Sequence, residues 1–127
     1  MATLRELMSG ELTSVRPDAT VADAAHLMSI RHVGSALVLE DDALLGIFTE
    51  RDIVRALASD FDAAGHSVDA WMTRDPRTMG PDDESSAALD LMLEHGFRHL
   101  PVVEGGRVLG VVSIRDLAPR SDRSNPV

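Results

Sequence analysis

The stretch Gly46-Ile47-Phe48-Thr49-Glu50-Arg51-Asp52 returns sixty-four residues later as Gly110-Val111-Val112-Ser113-Ile114-Arg115-Asp116. Each copy is a glycine, a short apolar run, a hydroxyl residue and then Arg-Asp. The glycine reads as a turn, the apolar run as a buried strand, and the polar end as the first turn of a helix. A hydroxyl three residues before a carboxylate at a strand-to-helix junction has two readings. One is a capping box, with Thr49 or Ser113 as the N-cap and the aspartate facing back to it. The other is a ligand site: a helix N-terminus offers unpaired N–H groups to anions, and a carboxylate beside it can take sugar hydroxyls.

The repetition extends well beyond this stretch. At an offset of 64, residues 3–53 align with 67–117 without a gap. The identical pairs are Met8/Met72, Pro17/Pro81, Asp18/Asp82, Ala24/Ala88, Leu27/Leu91, Met28/Met92, Val38/Val102, Glu40/Glu104, Leu45/Leu109, Gly46/Gly110, Arg51/Arg115 and Asp52/Asp116. Unrelated segments of this length and composition would match at about three or four positions. A unit of roughly 50 residues has little core of its own, so two copies imply halves that bury apolar surface together.

The order of elements within each unit follows from local signals. Thr3-Leu4-Arg5-Glu6 is a capping box opening a short helix, with Ser67-Val68-Asp69-Ala70-Trp71-Met72 as its counterpart. Extended segments at 12–15 and 77–79 are closed by Pro-Asp at 17–18 and 81–82. Val21, Ala24, Ala25 and Met28 then mark one apolar face of a helix over about 20–30. Ala88, Leu91, Met92 and His95 mark its partner, which Gly96 stops. Two apolar runs follow in each unit, at 36–39 and 44–48 and at 100–103 and 108–112. Asp41-Asp42 and Gly105-Gly106 separate them as hairpin turns. A last helix begins near Glu50 and near Ile114. The fold class is therefore mixed α/β (α+β), two β-α-β-β-α units each led by a small helix. Residues 1–58 form the first repeat, 59–66 a polar surface connector, 67–118 the second repeat and 119–127 a frayed tail.

At 127 residues, with a net charge of −9, the chain has no broad basic face for nucleic acid or anionic membrane. It contains no cysteine, which removes disulfides, thiolate metal sites and cysteine nucleophiles. No secretory h-region or apolar run of membrane-spanning length is present, and the expected location is cytoplasmic. His95 and His99 stand four apart, but Gly96 and Pro101 interrupt a helix across them, and no third zinc ligand is apparent. Trp71 is expected as a core or interface anchor. No nucleophile elbow, P-loop or zinc-protease helix occurs, so no catalysis is expected.

With both Gly-h-h-[Thr/Ser]-x-Arg-Asp copies, Phe97-Arg98-His99-Leu100-Pro101-Val102-Val103, Met72 and Pro81-Asp82 in this order, the chain resembles a tandem pair of CBS (cystathionine β-synthase) domains, a Bateman module. The resemblance covers nearly the whole chain. It implies two repeats packed about a pseudo-twofold axis with two clefts between their sheets, and a homodimer forming a flat disc of four units. It also implies that an adenosine-containing ligand (AMP, ADP or ATP) binds in the clefts and regulates an associated effector protein. The rival reading is a ligand-free interaction and dimerisation module.

Carried over residue by residue, the resemblance gives Asp52 and Asp116 the ribose hydroxyls, with Thr49 and Ser113 beside them and Arg51 and Arg115 in the same motif. Ser14 and Thr78 would contact base or sugar, though both also suit plain strand positions. Arg98 and His99 would line the phosphate path, with Pro101 stiffening the strand that follows. In the first repeat Gly34 and Ser35 replace Arg98 and His99, and Leu37 replaces Pro101. The two clefts are therefore expected to be unequal, the Ser113–Asp116 one being richer in cations. Helix faces carrying Leu27, Leu57 and Leu91 are expected to be exposed and to serve dimerisation.

Overall fold

Capping chemistry sets the helix starts. The computed structural model describes residues 2–117, so the tail expected at 119–127 lies outside the described residues. Glu6 Oε1 accepts from the Thr3 N–H at 2.9 Å and holds the single-turn helix α1 (Leu4–Leu7). After the short strand β1 (Ser14–Val15), Thr20 caps α2 (Val21–Arg31) by accepting from the Asp23 N–H at 3.0 Å. Val21, Ala24 and Met28 of α2 are buried, as the period of 3.6 requires. His32 ends this helix in the left-handed region at φ 56°.

Strands β2 (Ser35–Glu40) and β3 (Ala43–Thr49) follow as an antiparallel hairpin leading into α3 (Glu50–Ser59). The turn residues Asp41 and Asp42 both take positive φ, 51° and 67°, whose twist suits a two-residue hairpin. The second repeat contains β4 (Thr73–Arg74), α4 (Ser85–His95), β5 (His99–Glu104), β6 (Arg107–Ser113) and α5 (Ile114–Leu117). Gly105 and Gly106, at φ 60° and 79°, make its hairpin turn, and Gly96 at φ 78° ends α4.

Several expectations are corrected. The leader of the second repeat is a short 3-10 helix, Val68–Ala70, but its N-cap residue Ser67 makes no side-chain capping bond. His95 is exposed and does not extend the buried face of α4, which is carried by Ala88 and Met92. The connector holds a 3-10 turn, Phe61–Gly65, that buries Ala63 completely while Phe61 stands 99% exposed. Leu27 and Leu91 are half-buried, Leu91 against the core of its own unit, whereas Leu57 is exposed with Val54 nearby on α3. Gly46 and Gly110 do not form turns: both lie within strands, paired with Val38 and Val102.

Those two glycines mark a close backbone approach. A Cβ at Gly46 would stand 2.6 Å from the Thr73 carbonyl oxygen and 2.7 Å from Met72 Sδ. At Gly110 it would meet the Ser9 carbonyl oxygen and, at 2.8 Å, Met8 Sδ. Each leader thus crosses the hairpin of the other sequence repeat. One compact unit spans Glu11–Pro76; the other joins Met1–Gly10 to the residues from Arg77 onward. The compact units therefore divide the chain differently from the sequence repeat.

In the first of these units the sheet order is β1-β2-β3-β4, with β1 parallel to β2 and the other pairs antiparallel. Its core is Val21, Ala24, Met28, Ala36, Val38, Phe48, Val68 and Met72. The other unit buries Leu4, Ala88, Met92, Leu100, Val102, Val112 and Leu117 around the β5–β6 hairpin. Single-residue bridges flank that hairpin, Met79 parallel to Val102 and Ser9 antiparallel to Val111. One bond explains why 77–79 is not a strand like β1. Leu37 N–H donates to the Thr13 carbonyl at 2.9 Å, and its counterpart Pro101 has no N–H to donate to residue 77.

Candidate functional site

Both Thr/Ser-x-x-Asp elements have nearly the same geometry. Asp52 Oδ2 accepts from the Thr49 N–H at 2.9 Å and from its hydroxyl at 3.2 Å. Asp116 Oδ2 accepts from the Ser113 N–H at 2.8 Å and from its hydroxyl at 3.1 Å. The return bonds from the aspartate N–H to each hydroxyl are long, 3.4 Å in both. The capping-box reading is thus realised twice, and it occupies Oδ2 in each carboxylate. Oδ1 is the oxygen through which either aspartate could serve another group.

The strand before each helix sets what surrounds this carboxylate. The Ile114 N–H donates to the Arg98 carbonyl at 2.8 Å, and His99 pairs with Ser113 across the hairpin. The backbone of Arg98 and His99 therefore lies beside Ser113 and Ile114 at the start of α5, the helix that carries Asp116. At the other element the Glu50 N–H donates to the Gly34 carbonyl at 3.1 Å, and Ser35 pairs with Thr49. The repeat offset thus holds in space within each unit: two cation-capable residues at one helix start, two small neutral ones at the other.

A further difference was not read from the sequence. Arg55 Nη1 donates to Asp52 Oδ1 at 2.7 Å, and Asp52 itself is only 4% exposed. The guanidinium carbon of Arg55 lies 5.9 Å from the centre of the Trp71 ring. Trp71 packs on the core, stacks with His66 and donates its indole N–H to His66 Nδ1 at 3.3 Å. The i,i+3 spacing of Asp52 and Arg55 was the available signal. The position equivalent to Arg55 at the repeat offset is Pro119, which has no charge or side-chain donor.

Comparison with known proteins settles the family. The CBS domain profile matches residues 4–59 and 67–121. This chain belongs to the CBS-domain family. An uncharacterised 17.7 kDa protein from Acidianus ambivalens is 41% identical over 93% of this chain and 73% of its own length. The structure of a putative signal-transduction protein with CBS domains from Burkholderia ambifaria has a TM-score of 0.89 at 30% identity, covering 99% of this chain and 97% of that one. CBSX2, solved in complex with AMP, has a TM-score of 0.81 at 25% identity, with 98% of each chain covered. This CBS pair spans 84% of one curated relative but 20% of another.

The remaining sequence-predicted residues of the CBS pair are spread more widely. Arg51 and Arg115 are exposed in the first turns of α3 and α5, next to the aspartates. Ser14 is exposed on β1, paired with Leu37 and therefore one strand removed from Thr49. Thr78 is exposed beside the Met79 bridge and belongs to no strand. Pro101 is buried within β5, its carbonyl accepting from the Met79 N–H at 3.2 Å, so it acts on the strand and not as a surface contact. Among the described residues no group of three His, Asp or Glu side chains could hold a metal ion, and no helix is long and apolar enough to cross a membrane.

Proposed function

We propose that this CBS pair is a non-catalytic regulatory module that binds an adenosine-containing nucleotide of the AMP, ADP or ATP class and signals to a partner protein in the cytoplasm. The carrying observation is that the backbone of Arg98 and His99 lies beside Ser113, at the start of the helix that carries Asp116, in a chain of net charge −9. Ribose presents two adjacent hydroxyls, which a carboxylate oxygen can accept, and phosphate groups call for nearby cations. The AMP complex of a CBS protein that aligns over 98% of this chain supports the same ligand class. Thr49 and Asp52 form the second, cation-poor element. We further propose a homodimer, assembled as a disc of four repeats, in which ligand shifts the packing that the effector reads. That shift can be no larger than the difference in ligand affinity between the two states.

One observation favours a second reading. Both aspartates already accept from their own cap residues, so each element is structurally complete as a helix cap. In that reading the chain is a ligand-free interaction and dimerisation module. A thermal-shift screen against AMP, ADP, ATP, NAD and S-adenosylmethionine separates the two, because a ligand that binds only the folded state raises Tm. A rise of several degrees with an adenine nucleotide, and none with inorganic phosphate or ribose, is expected. No shift with any of the five at millimolar concentration establishes the interaction module instead.

A further inference from the structure

The two elements differ most at the carboxylate oxygen that the capping box leaves over. At Asp52 this oxygen is taken by Arg55, 2.7 Å away, from the same helix and one turn on. Asp52 is buried, while the Arg55 side chain is 56% exposed and reaches inward to it. The guanidinium also lies over the Trp71 ring, 5.9 Å from its centre, and Trp71 is itself held by His66. Asp52 Oδ1 thus carries a charge-assisted hydrogen bond from a group that the fold supplies. The offset that maps Asp52 to Asp116 maps Arg55 to Pro119, which has no side-chain donor.

We infer that Arg55 is a resident occupant of the Thr49–Asp52 element: it holds the oxygen that a ligand diol would need, so this element is closed at ligand concentrations that fill the Ser113–Asp116 element. The inference rests on the adenosine reading of the two elements and adds to it a cause of inequality within one chain. A ligand entering at Asp52 must first detach the guanidinium. Losing a charge-assisted hydrogen bond of this kind lowers affinity roughly 10- to 150-fold. The occupant is also a gate that can be opened, since Arg55 lies at the surface and can swing into water without disturbing the core.

The test is a calorimetric titration of AMP, with ATP in parallel, into the full chain and three variants. The parent is expected to bind one equivalent per chain tightly and a second at least tenfold more weakly. Arg55→Met keeps an apolar stem over Trp71 and removes the charge; it is expected to tighten the second equivalent at least tenfold while leaving the first unchanged. Adding Asp52→Ala to Arg55→Met returns the count to one, and Asp116→Ala alone leaves only the weak event. Trp71, the single tryptophan, gives an independent readout. In the parent its emission stays constant while the first equivalent binds and shifts with the second, as Arg55 leaves the ring.

If Arg55→Met still binds a single equivalent, or the parent already binds two of equal affinity, Arg55 is not an occupant and the adenosine reading survives. Weaker binding by Arg55→Met makes Arg55 a ligand contact and overturns the inference. No heat from any protein with either nucleotide removes the adenosine reading itself, and this inference with it.

Discussion

Met72 lies across β3 at Gly46, its sulfur 2.7 Å from where a β-carbon at residue 46 would stand. Met8 and Gly110 repeat the relationship at 2.8 Å. All four residues belong to identical pairs of the internal repeat, so each glycine is matched to the methionine of the opposite leader. Gly46→Ala and Gly110→Ala should each destabilise the fold by about 1–3 kcal/mol, because a backbone carbonyl as well as a flexible side chain must move aside. Gly65→Ala is the control: nothing lies within 4 Å of its added Cβ. Urea unfolding of the three variants checks this, and comparable losses in all of them would contradict the close approach.

Glu6 gives a pH dependence of known sign. Its carboxylate accepts from the backbone N–H of Thr3 and then from the Thr3 hydroxyl, and these bonds hold its pKa below the ordinary glutamate value. The unfolded chain therefore binds a proton at Glu6 more readily than the folded one. Its contribution is fully present above the ordinary carboxylate range and is lost as pH falls through that range to the lower folded value. Glu6→Gln retains a capping-box partner but not the ionisation. It should flatten the acid side of the stability profile measured by urea titration between pH 3 and pH 6, and an unchanged profile would argue against the Thr3–Glu6 contact.

Asp116→Ala should weaken nucleotide binding more than Asp52→Ala, since the oxygen lost at Asp52 is the one already held by Arg55. Arg98→Ala should reduce ATP affinity by roughly tenfold while changing adenosine affinity by less than twofold, the pattern of a phosphate contact of about 1.5 kcal/mol. Calorimetry on the three variants decides both points. Should Asp52→Ala remove the tighter event and Asp116→Ala spare it, the ordering proposed for the two elements is reversed.

The proposed homodimer can be tested at three side chains. Val54 and Leu57 on α3 and Phe61 in the connector that follows expose large apolar surface, with Phe61 almost wholly uncovered. Leu57→Asp combined with Phe61→Ser should convert a dimer to a monomer of unchanged circular dichroism, read by light scattering at tens of micromolar. A monomer already in the parent protein, with and without AMP, excludes the dimer.

Most of the element order was legible because its signals are local. Thr20, Thr49 and Thr3 cap helices through bonds three residues long, and Asp41-Asp42 and Gly105-Gly106 turn hairpins through their own φ angles. The role of Gly46 was not legible, because the atoms that require it belong to Met72 and Thr73, more than twenty residues away. A glycine inside an apolar run carries the same letter whether it bends the chain or admits a neighbour. At the site, the Thr49–Asp52 and Ser113–Asp116 pairs could be read from repetition and Arg98 and His99 were picked out by the family resemblance and the repeat offset, whereas their backbone position beside Ser113 and Ile114 is set by strand pairing that only the structure displays. Arg55 was passed over because its spacing from Asp52 is that of any surface ion pair. Only burial of the aspartate and the ring of Trp71 distinguish it.

The exchange of leaders also sets a timetable for synthesis. The unit Glu11–Pro76 is one uninterrupted segment and has all its parts once Pro76 has left the ribosome. The leader Leu4–Leu7 packs instead on residues beyond Arg77, with its N–H groups at Leu4 and Arg5 donating to the carbonyls of Asp83 and Pro81. At about 5–20 residues per second, it waits for several seconds while the unit between is made and folds. The helix Leu4–Leu7 is made before that unit and can find its partners only after it.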